Sequence, residues 1–454
     1  MSNIQKDMGS GSVKRLMVQL AVPALVAQVV NLLYNVVDRI YIGHIPGIGA
    51  AALTGVGLFT PILMLITAFA MMAGSGGAPR AAIAMGKRDV DAAQRIMGNC
   101  FSVLLLMAVI LTAGFCALLP QLLRLFGASE NTLPYAVDYG RIYILGSVFV
   151  LIVMGMNPFI TTQGFAKISM MTTIIGAVIN IVLDPVFIFL LDMGVAGAAL
   201  ATVLSQAVSA LWILRFLTGK QTHLKLKPSF MKLQAKVILP CLGLGVSTFV
   251  MLSTESILSI SFTSSLARFG GDIAVGAMTV MTSVNQLITM PLMGVCQGGQ
   301  PLISYNYGAK KLDRVKEAFL CQFTACVAYT VAFWILVQLL PQMFAGIFTD
   351  DPALVNYTVW AIRIYLACGF SSGFQTSCQQ AFVALGQAKI SLFMACLRKL
   401  ILLIPLIFIL PLFFENKVFA VFLAEPVSDL VAAAVTTIAF FLFFRKLMKR
   451  TVDS

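Results

Sequence analysis

Charge is scarce in this chain. Of its 454 residues only 11% are Asp, Glu, Lys or Arg, and 59% are hydrophobic, against about 25% and 45–50% in an ordinary soluble domain. Mean hydropathy is +0.94, which excludes a soluble globular fold. Acids are rarer than bases, 18 against 31, for a net charge of +13. A surplus of that size ordinarily suggests nucleic acid. Here the bases lie in short loops between apolar runs, where they set membrane orientation, so no nucleic-acid partner is expected. Histidine occurs twice, as His44 and His223, both in connecting segments, and suggests no ligand cluster. No CxxC pair is present among Cys100, Cys116, Cys241, Cys296, Cys321, Cys326, Cys368, Cys378 and Cys396. All nine sit within or beside apolar stretches and read as small fillers, which supports neither a metal site nor a disulfide framework. An HExxH helix is missing too, so neither enzyme nor resident cofactor is expected.

The chain does contain itself, twice. Gly76-Gly77-Ala78-Pro79 recurs as Gly298-Gly299-Gln300-Pro301, and Gly86 as Gly308. Arg141-Ile142-Tyr143 recurs as Arg363-Ile364-Tyr365, and Gly164 through Ser169 as Gly386 through Ser391. One offset of 222 serves every pair, which scattered coincidences of Gly and Pro would not keep. A duplicated membrane bundle with a cleft between its halves is a common plan of secondary transporters.

A bilayer span needs about 20 apolar residues. Twelve segments qualify: 16–41, 51–74, 96–119, 139–163, 169–191, 196–217, 237–265, 274–297, 317–340, 357–383, 391–412 and 419–444. The fold class expected is therefore all-α integral membrane, with twelve transmembrane helices in two pseudo-symmetric six-helix bundles. The first run is too long for a signal peptide and lacks a cleavage site, so it is expected to remain. Lys14, Arg15, Lys87, Arg88, Arg95, Lys167, Lys220, Lys225, Lys227, Lys232, Lys236, Lys310, Lys311, Arg314, Lys316, Lys389, Arg445, Lys446, Lys449 and Arg450 collect on one side. The opposite loops offer little beyond Arg124, Arg268 and Lys417. Positive-inside then places both termini in the cytoplasm of a multi-pass plasma-membrane protein. The domains expected are an N-terminal lobe at 1–217, a basic cytoplasmic linker at 218–236 and a C-terminal lobe at 237–454. Six spans per lobe make the two repeats parallel, with an axis along the membrane normal.

Ionisable side chains inside a bilayer are expensive and need a reason. Asp184 follows Asn180 by four residues, so both occupy one helical face, and Pro185 weakens the helix beside them. A tight turn near Met193-Gly194 returns Thr202 to the depth of Asp184, with the Ala198 carbonyl one turn nearer the loop. Asp38 and Tyr139 enter the same outer half from the first and fourth spans. Two carboxylates with neutral oxygens suit a hard monovalent cation or a shared proton, with Na⁺ ligands expected from Asp38, Asn180, Asp184 and Thr202. Adding 222 to 38, 180, 184 and 202 gives Ile260, Leu402, Leu406 and Ala424, so the second lobe lacks this constellation. It carries Glu255 instead, read either as a second site or as an acid neutralised by a proton or a wet cleft. Glu425 and Asp429 follow in its last span, with Glu425 expected to orient an interface or face water. Asn157, Gln163, Met64 and Met154 join Glu255 as expected lining of a substrate cavity, the methionines because they adapt to varied apolar ligands.

At these residues the chain resembles the multidrug and toxic compound extrusion (MATE) family. The segments that carry the likeness are Tyr34 through Asp38 with Gly43 and Ala51-Ala52-Leu53, Asn180 through Pro185, Gly194 through Ala199, and Gln297 through Ala309. The likeness covers essentially the whole chain and is greatest to the MepA-like and DinF-like bacterial branches. It implies a V-shaped pair of six-helix bundles that exports amphipathic organic cations in exchange for Na⁺ or H⁺, with no other cofactor. It also implies a cation or proton site at Asp38, Tyr139, Asn180, Asp184, Ala198 and Thr202, with Asn157 lining the same cavity. Small organic cations and the bilayer are the partners expected, and the protein is expected to be a monomer. NorM-type members carry an acid in the tenth span, where this chain reads Ser371-Ser372-Gly373-Phe374-Gln375-Thr376; Glu255 lacks that partner, so the likeness does not extend to their C-lobe ion site. The alternative function is a flippase for lipid-linked precursors.

Overall fold

A chain with this little polarity cannot hydrogen-bond its backbone to lipid, so it must satisfy its amides within helices. The computed structural model describes residues 8–347 and 352–449, and among them every regular element is helical. In order these are α1 (Val13–Gly43), α2 (Gly49–Gly86), α3 (Val90–Leu125), α4 (Leu133–Leu145), α5 (Ser147–Thr162), α6 (Ala166–Pro185) and α7 (Gly194–Thr218). The second half continues with α8 (Ala235–Gly308), α9 (Leu312–Leu339), α10 (Pro341–Gly346), α11 (Pro352–Tyr365), α12 (Ser371–Ala384), α13 (Ala388–Cys396), α14 (Ile404–Phe413) and α15 (Lys417–Lys449). Two π-helical turns interrupt the series, Val186–Leu190 after α6 and Leu397–Leu403 after α13.

Ten stretches of the described residues are long and apolar enough to cross a membrane, and α4 with α5, bent by 56°, makes an eleventh. The remaining expected span, 357–383, is built as the two 14-residue helices α11 and α12. The breaks at Gly146 and at residues 366–370 are repeat equivalents, so the duplication preserved an interruption that hydropathy alone does not register. Within α8 the expected spans 237–265 and 274–297 are two helices, Ala235–Gly271 and Ile273–Gly308, that meet at Gly271, whose φ of +65° and ψ of −163° suit only a residue without Cβ.

Each half has its own core. Phe59 packs edge-to-face on Tyr139 and Tyr143, at 5.6 and 5.5 Å between ring centres, in the first. Phe262 meets Tyr365 at 5.8 Å in the second. A third cluster joins the start of α1 (Val13, Leu16, Leu20) to Leu302, Phe319, Phe382 and Phe440 of the second half. There the Met8 carbonyl accepts from Asn306 Nδ2 (3.1 Å) and Arg314 Nη2 (3.0 Å).

The 219–234 segment is tied down rather than loose. Asn99 donates to the Phe230 carbonyl at 3.2 Å and accepts from the Gln234 amide at 2.7 Å. Gln163 Oε1 accepts from the Thr222 hydroxyl and from the His223 and Leu224 amides at 2.8–2.9 Å. The ring of His223 stacks on Phe165, and burial lowers its pKa from the ordinary histidine value.

Candidate functional site

The polar residues expected from the first half do meet. Asn180 and Asp184 share one face of α6, and Asn180 Nδ2 lies 3.2 Å from Asp184 Oδ1. The turn after the π segment uses positive φ at Asp192 and Gly194 and sends α7 back alongside. That brings Thr202 Oγ1 to 3.4 Å from Asn180 Nδ2. Thr202 in turn donates to the Ala198 carbonyl at 3.0 Å. Asp38, on α1, faces Asp184 closely enough for their carboxyls to share a hydrogen bond. Tyr139 reaches Thr202, and Tyr34 adjoins both acids.

Asp184, Asn180, Tyr139, Ala198 and Thr202 are all buried, and Asp38 is half-buried. Three acceptor oxygens have no donor: Asp38 Oδ1, Asp184 Oδ2 and Asn180 Oδ1. Buried acceptors are normally satisfied. Three orphans in one polar cluster, two of them on carboxyls, make a place where a proton or a hard cation completes the set. Pro185 supplies no amide to the helix and the π turn follows at once; such turns widen a helix and are frequent at functional sites. Tyr34 was not singled out from the sequence for this role, although it precedes Asp38 by one helical turn.

The remaining expected residues divide. Asn157 Nδ2 lies 3.4 Å from the Ser169 carbonyl and its Oδ1 is unpartnered. Met154 is half-buried, and Met64 is exposed. Gln163 is buried against the 222–224 segment with its oxygen fully engaged; it anchors that segment and does not line a cavity. Ser371 sits in Gly369-Phe370-Ser371-Ser372-Gly373, which has GxSxG spacing. A nucleophile elbow needs a preceding strand and a histidine. Ser371 has neither, opening α12 between helices with its hydroxyl unpartnered.

The second half departs from expectation. Glu425 does not face water; it is 4% exposed. Arg398 Nε meets Asp429 Oδ1 at 2.7 Å, its Nη2 meets Glu425 Oε1 at 3.2 Å, and Lys399 bonds Glu255. The polar constellation is thus replaced rather than lost, on other helices and with bases added. Arg398 and Lys399 escaped the sequence reading, though two consecutive bases inside the apolar run 391–412 are themselves a signal. Both ride on the π turn Leu397–Leu403, and Pro405, just beyond it, withholds the amide that would close a regular α turn. Each half therefore places its ionisable cluster where a proline and a π turn disturb the helix.

Fold and site together define a duplicated, multi-pass helical membrane protein with ionisable clusters inside the bilayer. The chain belongs to the MatE family, whose profile matches residues 23–186 and again 247–409. It is 23% identical over 425 residues to Multidrug export protein MepA of Staphylococcus saprophyticus, covering 93% of each chain. A protein of the same name from Staphylococcus aureus strain N315 is 23% identical over 423 residues, covering 92% of each. Among solved structures, a MATE transporter in the bent conformation matches with a TM-score of 0.92 at 24% identity, over 100% of this chain and 99% of that one. A multidrug resistance MATE family transporter in an outward-facing conformation matches with a TM-score of 0.90 at 24% identity, over 99% of both.

Proposed function

We propose that this protein is a secondary antiporter that exports amphipathic, mostly cationic organic compounds in exchange for H⁺ or Na⁺ at the Asp38–Asp184 pair. The observation that carries the reading is the pair itself, two facing carboxyls beside Asn180 and Thr202 with three unpartnered acceptor oxygens. Uptake of one cation or proton there fills those acceptors and favours one conformation, while cargo favours the other. The two ligands are then coupled through the conformational equilibrium. Relatives named as multidrug export proteins support the cargo class.

In this reading residues 1–217 and 237–454 form the two lobes, and 218–236 joins them. The basic end is cytoplasmic and carries both termini, and the protein works as a monomer. Contacts between the halves cluster at that end, where Gly86 abuts Tyr305 and Gly308 abuts Ile83, so the described conformation is closed to the cytoplasm. A flippase for lipid-linked precursors would need free positive charge for a pyrophosphate. Arg398 and Lys399 are instead offset by three carboxylates.

Everted membrane vesicles test the proposal. Export of an organic cation should follow an imposed proton or Na⁺ gradient, and the gradient that drives it identifies the ion. Transport independent of both gradients would refute antiport.

A further inference from the structure

Two short segments cross from one half of the chain to the other, and they are repeat equivalents. Residues 8–12 lead into α1, yet they fasten on the second half. The Met8 side chain is fully buried, and its carbonyl accepts from Asn306 Nδ2 at 3.1 Å and from Arg314 Nη2 at 3.0 Å. The Gly9 carbonyl accepts from Lys311 Nζ at 2.6 Å. Arg314 Nε donates to Asn306 Oδ1 at 3.1 Å and so fixes the way that amide points. Residues 230–234 lead into α8, yet they fasten on the first half. The Phe230 carbonyl accepts from Asn99 Nδ2 at 3.2 Å, and the Met231 carbonyl accepts from Ser102 Oγ at 2.6 Å. Asn99 Oδ1 accepts from the Gln234 amide at 2.7 Å.

Met8 and Phe230, Gly9 and Met231, and Ser12 and Gln234 each stand 222 residues apart. The burial that follows them matches as well. Leu16 packs in the cluster that holds Leu302 and Phe319 of the second half, and its equivalent Ile238 packs in the core of the first. The donors do not match. At the same offset Asn99 and Ser102 correspond to Cys321 and Thr324, and Asn306, Lys311 and Arg314 correspond to Ala84, Asp89 and Ala92. The two halves thus hold equivalent carbonyls with unrelated side chains. Carbonyls ahead of a helix at the basic end need no such donors, because water can serve them. What the two sets of bonds have in common is that each crosses the division between the halves.

We infer that residues 8–12 and 230–234 are two straps that hold the cytoplasmic end of the molecule shut, with Asn306 and Asn99 as the residues that position them. The inference rests on the transport reading, in which the halves part at the basic end to load cargo. Each strap is continuous with the first helix of one half and bonded to the other half. Parting the halves therefore strips each strap from its donors, and water takes their place. Bonds present in one conformation and absent from the other set the balance between the two. Gly86 and Gly308 let the halves approach; the straps oppose their separation.

Cys241 reports the opening, because it is buried and its carbonyl lies against Gly76 on the seam between the halves. The test uses the full-length protein in everted membrane vesicles, with the other eight cysteines replaced by alanine. Alkylation of Cys241 by N-ethylmaleimide is followed over time. The decisive variant is Asn306→Leu, since its strap and Cys241 are packed in different cores. It should speed alkylation by roughly tenfold or more. Asn99→Leu should act in the same direction, and the two factors should multiply. Ser102→Ala and Lys311→Met each remove a single bond and should give smaller increases, which keeps the test open if a leucine variant does not fold. Gln163→Ala loosens residues 222–224 without touching either strap and should leave the rate unchanged. A wild-type rate in both Asn306→Leu and Lys311→Met overturns the inference and leaves antiport standing. An equal rise in Gln163→Ala also overturns it, because loss of packing alone would then account for the exposure. Export of tetraphenylphosphonium by the wild type that ignores both gradients overturns antiport instead, whatever the alkylation rates.

Discussion

Gly86 and Gly308, separated by the repeat offset of 222, occupy equivalent places in one symmetric contact. A Cβ on Gly86 would overlap the Tyr305 carbonyl, and a Cβ on Gly308 would overlap the Ile83 carbonyl. Ile83 and Tyr305 are themselves repeat equivalents. Backbone packs directly on backbone at the basic end because both glycines leave room for it, a device that membrane helices use for close approach. The same seam continues inward, where Gly76 lies against Cys241 and Gly245 against Met72.

Widening this seam should open it. Gly86→Leu or Gly308→Leu introduces overlap of the kind that costs about 1–3 kcal/mol. That is enough to move a two-state equilibrium by roughly 5- to 150-fold. Spin labels at Lys87 and Lys310, in a chain lacking the native cysteines, should report a longer distance in either variant. An unchanged distance distribution would mean that the seam does not hold the two halves together.

Asp184→Asn should bring gradient-driven efflux to background while the protein still folds. The amide retains size and hydrogen bonding but loses the charge that takes up a cation or proton. Asp38→Asn should do the same, and the double variant should be no worse than either, because groups acting as one unit are non-additive. Efflux is to be normalised to protein in the membrane. Wild-type rates from folded Asp184→Asn would remove the pair from the mechanism.

Gln163→Ala should destabilise without disabling. Its Oε1 serves three donors from residues 222–224, each worth about 0.5–1.5 kcal/mol, so a loss of about 2–4 kcal/mol is expected. Thermal unfolding in detergent should show it as a lower midpoint, with efflux per folded molecule near wild type. A cargo-specific loss at unchanged stability would return Gln163 to the cavity.

The same anchored segment should respond to pH. Burial lowers the pKa of His223, so the folded state favours the neutral ring. Its contribution is complete above the unfolded value of about 6.5 and declines as pH falls through that value toward the lower folded one. His223→Phe, which keeps a ring for stacking on Phe165, should flatten the fall in melting temperature below about pH 6.5. An identical acid limb in the variant would exclude His223 as its source.

Orientation is tested separately. Single cysteines at Lys225 and Lys310, in a background without the native nine, should react only with reagents that reach the cytoplasm. Labelling of either from outside intact cells would reverse the topology.

Much of this protein follows from its sequence because a bilayer leaves few choices. Runs of about 20 apolar residues must be helical, one offset relates the halves, and Asn180, Asp184 and Thr202 come together from helical spacing and a short turn. Tertiary structure decided the rest. The sequence marks a break between 265 and 274, but only the fold shows that Gly271 makes it with no intervening loop, and α11 and α12 divide a span that hydropathy reads as continuous. Arg398 and Lys399 stand far from Glu255, Glu425 and Asp429 in sequence. Only the packing of α8, the π turn and α15 brings five charges together, and a buried charge is tolerated only once its partners arrive. Gln163 has polar chemistry that suits either a cavity or an anchor, and the neighbours it acquired on folding made it an anchor.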